Sequence, residues 1–453
     1  MVSLRFFGGV GEIGGNKILL EDGDARVWLD FGRSFDCGAE YYTGYLQPRP
    51  IAGLKDLLEF DLLPRVEGLY AEDMLTDTEI RYSDPQFDGV LITHAHGDHI
   101  GHLGYIDPQV RVYTGAGTKL FMEATEETSA GGRLGDHQYR GFRTGDTLNV
   151  GGLEVRPIHV DHSIPGAYGF IIQTSEGAIA YTGDLRAHGP KAEMTEDFLK
   201  AATESKPVAL ITEGTRMAPV DRRRNLTERQ VYEGVLEVCR RQGNRGRLVL
   251  YTHGPRDTDR FRTFYNAASE SGRKIVVSPK TAYLLSKLVM DRHLDLPDPQ
   301  KDDSLAVYYR RKRSGNYDER DYYFWERPFL DKIVTPGDLK WDPGAYMVNI
   351  GFSELTELID IRPEPGTPFV YSMSEHFSEE DVEGQVLQNW LSHFGLEHIQ
   401  LHASGHMARG ELADALTRIK PGRVFPVHTE HPELFEGLHG RVTQPVKGET
   451  YRL

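Results

Sequence analysis

Cysteine is nearly absent. Cys37 and Cys239 are the only two in 453 residues, too few and too far apart for a disulfide scaffold or a thiolate metal cluster, so both read as small buried apolar side chains. Long apolar runs are missing as well. None approaches the roughly 18–20 residues a membrane span requires. The opening Met1-Val2-Ser3-Leu4-Arg5-Phe6-Phe7 has no basic leader and no apolar signal core, so a cytoplasmic chain without a membrane partner is expected. Positive charge is also scarce, with 52 Lys and Arg against 68 Asp and Glu, a formal net charge of −16. That balance argues against a uniformly basic surface. No internal repeat or low-complexity tract occurs. At this length, with 39% hydrophobic and 26% charged residues, the chain can bury two or three cores.

What the chain does contain is concentrated at one place. Residues 94–99 read His94-Ala95-His96-Gly97-Asp98-His99, directly after the apolar run Gly89-Val90-Leu91-Ile92. Three imidazoles and a carboxylate packed this closely cannot be buried without hydrogen bonds or a metal. The spacing suits a turn at a strand end that aims His94 and His96 at one cation, with Asp98 and His99 facing a second. Two such cations about 3.5–4 Å apart need further histidines and an anionic bridge. His162, Asp184 and His428 each follow a short apolar run (Leu153 to Val160, Ala178 to Thr182, Val424 to Val427). A rigid sheet could hold all of them by its strand ends.

In this order the motifs resemble the metallo-β-lactamase superfamily of dinuclear hydrolases. The resemblance implies that His94, His96 and His162 hold one zinc, that Asp98, His99 and His428 hold the other, and that Asp184 bridges them. Asp30, in Val27-Trp28-Leu29-Asp30-Phe31-Gly32, matches an early aspartate that braces the histidine loop. Three further stretches are similar to the β-CASP nucleases, and within them to the RNase J-like branch. These are Asp161-His162-Ser163-Ile164-Pro165-Gly166, Ile211-Thr212-Glu213-Gly214-Thr215, and His402-Ala403-Ser404-Gly405-His406 followed by Phe425-Pro426-Val427-His428. The start Gly8-Gly9-Val10-Gly11-Glu12-Ile13-Gly14 is alike too. The fold implied is α/β, a metallo-β-lactamase αββα sandwich (residues 1–205 and 346–453) with an inserted β-CASP α/β domain (206–345). Long bacterial RNase J chains continue well past the last histidine, whereas this sequence stops 25 residues after His428. A homo-oligomer built through such an extension is therefore in question.

The resemblance also implies a chemistry. The cation pair would acidify a water for in-line attack on a phosphodiester, with Asp98 and Asp184 in the catalytic set. His406 would protonate or stabilise the leaving oxygen, oriented by a hydrogen bond that its ring donates to Glu213. His402, Ser404 and Gly405 are candidates for binding a neighbouring phosphate, which would favour 5′→3′ exonuclease action beside endonuclease action. The same ligand set accepts manganese.

Charge distribution supports a polynucleotide. Residues 206–340 contain 27 Lys and Arg against 19 Asp and Glu, which leaves a balance of −24 for the rest. Arg222-Arg223-Arg224, Arg240-Arg241 and Arg310-Arg311-Lys312-Arg313, the last followed by Tyr317, Tyr322, Tyr323, Phe324 and Trp325, suit single-stranded RNA, with phosphates on the arginines and bases on the rings. DNA as substrate, a small-molecule metallo-hydrolase and an inactive RNA-binding scaffold stay open as alternatives. A nucleotide cofactor does not: Gly9-Val10-Gly11-Glu12-Ile13-Gly14 fits G-x-G-x-x-G, but the following Asn16 to Asp24 reads as strand and turn rather than helix.

Short strands between Gly- and Asp-rich turns are expected to about residue 205, interrupted by an irregular excursion at 34–88. Helices are expected at 226–240, 257–271, 280–291, 379–394 and 408–419, alternating after 206 with strands such as Arg247 to Tyr251 and Lys274 to Val277. That alternation reads as a parallel α/β unit. Residues 295–345, rich in Pro, Asp and aromatics, read as a second long excursion.

Overall fold

The computed structural model describes residues 1–43, 45–50, 53–129, 134–221, 223–374 and 382–453. Two sheets face each other across one core. The first has seven strands in the order Thr450–Arg452, Val2–Gly8, Lys17–Asp22, Ala25–Phe31, Gly89–Ile92, Val112–Gly115 and Tyr139–Phe142; the second has six, Val424–Val427, Ala209–Glu213, Gly177–Tyr181, Tyr168–Thr174, Leu153–His159 and Leu148–Val150. The period-two alternation of β-strands divides their side chains. Val27 and Leu29 join Phe170, Ile179, Ile211 and Phe425 in the core between the sheets. Trp28 and Phe31 point the other way, onto Phe121 and Met122 of the helix Ala116–Thr128. Behind the second sheet, Phe198 and Leu199 of Ala192–Ser205 and Leu412 and Leu416 of Arg409–Ile419 cover Ile171, Ala180 and Leu210. Helix, sheet, sheet and helix make the αββα sandwich. The excursion at 34–88 contributes the helix Gly53–Glu59, whose Leu54, Leu57 and Leu58 pack into the first outer layer.

A third sheet carries the remaining strands, in the order Ile333–Val334, Leu305–Tyr308, Lys274–Val277, Tyr346–Asn349, Val249–His253, Pro368–Ser372 and Glu397–Gln400, every neighbouring pair parallel. It is apolar on both faces, as a parallel sheet covered by helices must be. The strand pairings run across the expected division at 206 and 345. Ala209–Glu213, expected in the insert, pairs with Gly177–Tyr181 and Val424–Val427 of the sandwich. Tyr346–Asn349, Pro368–Ser372 and Glu397–Gln400, expected in the sandwich, pair with insert strands. The excursion expected at 295–345 likewise holds two strands and the helix Pro336–Trp341. Polar loop composition there masked two short strands, of which Ile333–Val334 lies at the sheet edge and Leu305–Tyr308 next to it. Helices run Glu228–Arg240, Thr258–Glu270, Pro279–Leu288, Val382–His393 and Arg409–Ile419; positions 379–381 of one expected helix lie outside the described residues. No described helix is long and apolar enough to cross a membrane.

Two fully buried arginines organise this region, Arg186 joining the sandwich to the insert and Arg260 bracing the insert itself. Arg186 donates to Asp161 at 3.0 Å and to Asp259 at 2.6 Å, the latter in the first turn of Thr258–Glu270. Its neighbour Arg260 donates twice to Glu228 (2.7 and 3.0 Å), to the Ser372 carbonyl (3.1 Å) and to the Ala403 carbonyl (2.9 Å). Replacing Arg186 with Met would leave buried Asp161 without a cation and Asp259 with Lys191 Nζ at 3.3 Å in place of two cationic partners. Losing one partner of such a network costs about 3–5 kcal/mol. Arg186→Met is therefore expected to lower the denaturation midpoint by that equivalent, and a change below about 1 kcal/mol in denaturant titration would show the network to be dispensable.

Candidate metal centre

The strand Gly89–Ile92 ends at Thr93, and the chain then turns through His94 to His99 at the mouth between the two sandwich sheets. Glycines elsewhere make room for this turn. A Cβ on Gly32 would sit 1.6 Å from the Asp98 carbonyl oxygen, and one on Gly14, at φ +80°, would sit 2.6 Å from the Asp98 Cβ. The Gly15 and Asn16 amides donate to that same Asp98 carbonyl at 2.9 and 3.2 Å, and Gly9 accepts from the His428 amide at 2.8 Å. The glycine-rich start therefore cradles the histidine loop and runs on into the strand Lys17–Asp22.

The seven expected ligands come together as two groups. His94, His96, His162 and Asp184 form one, and Asp98, His99, His428 and Asp184 the other; within each, the candidate donor atoms lie within 4.8 Å of one another. His96 Nδ1 is 3.0 Å from His94 Nε2 and 3.1 Å from His162 Nε2. Asp184 Oδ2 is 3.7 Å from His94 Nε2, 3.2 Å from His99 Nε2 and 3.5 Å from His428 Nε2. Donors about 2.0–2.1 Å from a tetrahedral cation stand roughly 3.3 Å apart, so the spacing fits. Burial and tautomer fit too. His162 Nδ1 faces the Gly405 carbonyl at 2.7 Å, His99 Nδ1 faces Asp30 at 2.8 Å, and His428 Nδ1 faces the Thr215 hydroxyl at 2.7 Å. With the outer nitrogens occupied, each Nε2 is turned inward. Asp184 Oδ1 is buried with no hydrogen-bond partner, which a cation would satisfy.

Asp30 is the hub behind the loop. In the left-handed backbone region (φ 55°), it accepts from the Thr93 amide (2.8 Å), the Thr93 hydroxyl (2.9 Å) and the Tyr181 hydroxyl (2.7 Å), besides facing His99. Asn16 in turn donates to Tyr181 at 3.0 Å. Sequence reasoning missed Thr93, Tyr181, Thr215 and Arg186. A hydroxyl at the inward end of an otherwise apolar strand is the signal that Tyr181 offered, and Thr215 stood inside the quoted acidic motif.

Charges in the centre are divided between the two groups. Burial, with the neighbouring imidazoles, holds His94 and His162 well below the usual imidazole range, and burial brings His96 down to about 4. Burial pulls in the same direction on His428 and His99, yet the Asp184 carboxylate first, with Asp98, raises His428 to about 9, and Asp184, Asp30 and Asp98 raise His99 well above its ordinary value. At neutral pH without a cation, three rings offer lone pairs while two carry protons that a cation must displace. Affinity must then rise with pH until those protons are gone, near pH 9 for His428. Between pH 6 and 8 the gain should be about 10²–10⁴-fold for one or two protons released. Competition with a chromogenic chelator at pH 6, 7 and 8 measures this; a flat profile would contradict it.

His406 lies over the cluster, with its ring centroid 5.3 Å from that of His162 and 5.5 Å from that of His428. Its Nδ1 is 3.4 Å from Glu213 Oε1 and 3.9 Å from Asp184 Oδ2, and has no hydrogen-bond partner. The expected Glu213–His406 hydrogen bond is therefore a looser ion-pair contact. Glu213 is already occupied, accepting from the Thr215 amide at 2.8 Å and the Met407 amide at 3.3 Å. The 402–405 stretch is held from behind. His402 Nδ1 meets Arg260 at 3.2 Å and the Ser372 carbonyl at 3.1 Å, the Ser404 carbonyl faces His188 Nε2 at 3.0 Å, and a Cβ on Gly405 would press on His162 at 3.1 Å. The Ser404 hydroxyl accepts from the His406 amide at 3.2 Å.

The basic runs are largely neutralised, contrary to the expectation that they meet phosphates. Arg310 pairs with Glu354 (2.6 Å), Arg311 with Asp360 (3.2 Å), Lys312 with Glu326 (2.7 Å), Arg240 with Glu270 (2.8 Å), Arg241 with Glu397 (2.7 Å) and Arg223 with Asp221 (2.8 Å). Arg222 lies outside the described residues. Acids distant in sequence, such as Glu354, Asp360, Glu270 and Glu397, fold back onto the other runs, which a one-dimensional charge count cannot show, while Arg223 meets the nearby Asp221.

Comparison with known proteins agrees with this geometry. Residues 67–254 match the family described as "Beta-lactamase superfamily domain". Ribonuclease J of Sinorhizobium meliloti is 26% identical over 446 residues, covering 94% of this chain and 68% of that protein. Ribonuclease J of Mycoplasma pneumoniae is 23% identical over 445 residues, covering 94% and 67%. A crystal structure of a protein of unknown function from Enterococcus faecalis V583 superposes over all of both chains with a TM-score of 0.77 at 22% identity, a likeness of fold. By fold, by paired histidine–aspartate groups and by these relatives, the chain resembles the metallo-β-lactamase superfamily and, within it, ribonuclease J.

Proposed function

We propose that this metal-dependent hydrolase cuts phosphodiester bonds in single-stranded RNA, acting as a 5′→3′ exonuclease with endonuclease action beside it. The observation that carries the reading is the His406–Glu213 pair over the ligand cluster: a partly exposed imidazole whose buried Nδ1 faces the buried Glu213 carboxylate at 3.4 Å. A thiolate leaving from a thioester has little need of such a proton donor, whereas an alkoxide leaving from phosphorus does. The curated relatives named Ribonuclease J support RNA as the polymer.

In this mechanism His94, His96 and His162 would hold one cation and Asp98, His99 and His428 the other, with the Asp184 carboxylate common to both donor groups. Two zinc ions, or manganese on the same donors, would supply the Lewis acidity that ionises a water near neutral pH and offsets charge on the phosphoryl oxygens. Asp30, Thr215 and the Gly405 carbonyl keep the ligand rings in register. His406 gives its proton to the departing oxygen, and Glu213 keeps the ring turned toward it. The Ser404 hydroxyl and the Gly405 amide face the strand beside His406 and take the neighbouring phosphate, with His402 behind them. We assign the third sheet and its helices, from Gly214 to the 402–405 stretch, to the inserted β-CASP domain.

The test is direct. Labelled RNA and DNA of one sequence, each with 5′-monophosphate, 5′-triphosphate or 5′-hydroxyl ends, are incubated with the full chain with and without chelator. Chelator-sensitive release of mononucleotides from 5′-monophosphate RNA is expected. Cutting DNA alone would move the substrate, and no cutting of either polymer would overturn the reading.

A further inference from the structure

A cavity of about 690 Å³ opens over the carboxyl ends of the third sheet. Open parallel sheets take ligands there, in the crevice where the strand order reverses. The reversal can be followed along the chain. From Val249–His253 the chain moves outward through Lys274–Val277, Leu305–Tyr308 and Ile333–Val334. It then returns to place Tyr346–Asn349 between the first two strands, and leaves on the other side through Pro368–Ser372 and Glu397–Gln400. His253, Ser278 and Asn349, at or just past the strand ends around that point, all line the cavity.

Its walls have the chemistry of a base and a phosphate. Tyr323 and Trp325 stack on each other with centroids 5.8 Å apart and planes 12° apart, and Tyr323 remains 59% exposed. Lys280, in the first turn of Pro279–Leu288, has no acidic partner among the described residues, unlike Arg310 and Lys312 in the same lining. Pro255 lines the cavity, and the adjacent Arg256, also without an acidic partner among the described residues, reaches the Ala95 carbonyl at 3.5 Å. Burial first, and the Arg256 charge second, pull the Lys280 ammonium down. The cavity and the histidine loop are thus joined by two positive charges without a direct ion-pair partner among the described residues, Arg256 lying also within the field of Asp98.

We propose that this cavity is a second nucleotide position. It takes one base against Tyr323 and Trp325 and its phosphate on Lys280, with the strand crossing Arg256 to reach the histidine loop. The inference rests on the polynucleotide reading above, and the experiment separates the two. The metal-loaded full chain is titrated with fluorescein-labelled, phosphorothioate-linked oligoadenylates of two and eight nucleotides, which resist cutting, and binding is read by anisotropy. The eight-mer should bind at least about tenfold more tightly than the two-mer, since each stacked base adds affinity. Lys280→Ala and, separately, Tyr323→Ala should each weaken the eight-mer about 5- to 20-fold and leave the two-mer within twofold. Circular dichroism confirms that both exposed-site variants fold, and Lys280→Arg should restore the eight-mer. Unchanged eight-mer affinity in both variants, or an equal loss at both lengths, overturns the proposal while leaving the nuclease reading intact. Failure of the wild type to bind either oligonucleotide removes that reading as well. Adenosine monophosphate quenching Trp325 fluorescence, with no gain from two to eight nucleotides, would make this a free-nucleotide site and overturn the strand path.

Discussion

His406→Ala is expected to keep its cations and its fold and to lose about 10²–10⁴-fold in kcat, the usual cost of removing a general acid. The separation of these effects follows from position. His406 belongs to neither ligand group, and its Nδ1 makes no hydrogen bond that folding would miss. Its amide, which donates to the Ser404 hydroxyl, survives the substitution. KM should change little, because the ring acts on the leaving oxygen rather than on the bound strand. Metal analysis beside steady-state kinetics decides the matter. Cations lost in proportion to turnover would make His406 a ligand instead. Glu213→Gln should give a smaller loss, since the one amide oxygen can still accept from either the Thr215 or the Met407 amide, though not from both.

Asp184→Asn is expected to be more severe, with cation content falling from a pair per chain to one or none and hydrolysis falling to background. Asp184 is the one side chain common to both groups. Burial alone would push its carboxyl up, but the His428 and His99 charges hold it well below the carboxylate range. A neutral amide of the same shape removes the anion that both groups use and leaves His99 and His428 without their strongest partner. Mass-spectrometric metal counting on the purified variant provides the measurement. Retention of a full pair would show that Asp184 is not shared. Since Asn preserves volume, any loss of cations can be read as electrostatic rather than as a packing defect.

Local chemistry made much of this arrangement legible. The histidine loop announced itself because so many ring nitrogens in six positions have no apolar explanation. The helices of the insert could be read from their periodicity and their caps, such as Thr227 with Gln230 and Ser278 with Thr281. The insert boundary was not legible. Ala209–Glu213 and Tyr346–Asn349 are both short, buried, apolar strands, and which sheet receives such a strand depends on partners far away in sequence. The basic runs were misread for a related reason: charge along a chain says nothing about acids that fold onto it. The glycines at the start could be placed only once Asp98 stood against them, because close approach between segments leaves no mark in either segment alone.

The pairing of the basic runs has a consequence for ionic strength. A protein that grips a single strand by many phosphates loses affinity steeply as salt rises, by about 0.7 logarithmic units per contact for each tenfold change. Here Glu354, Asp360 and Glu326 already neutralise the run at 310–312, and the whole chain is negative. Few counter-ions remain to be released, so binding would fade only gently with added potassium chloride. Grip would come instead from stacked rings and from the cations at the cleaved bond, and such an enzyme would release structured or double-stranded polymers that offer it no free base.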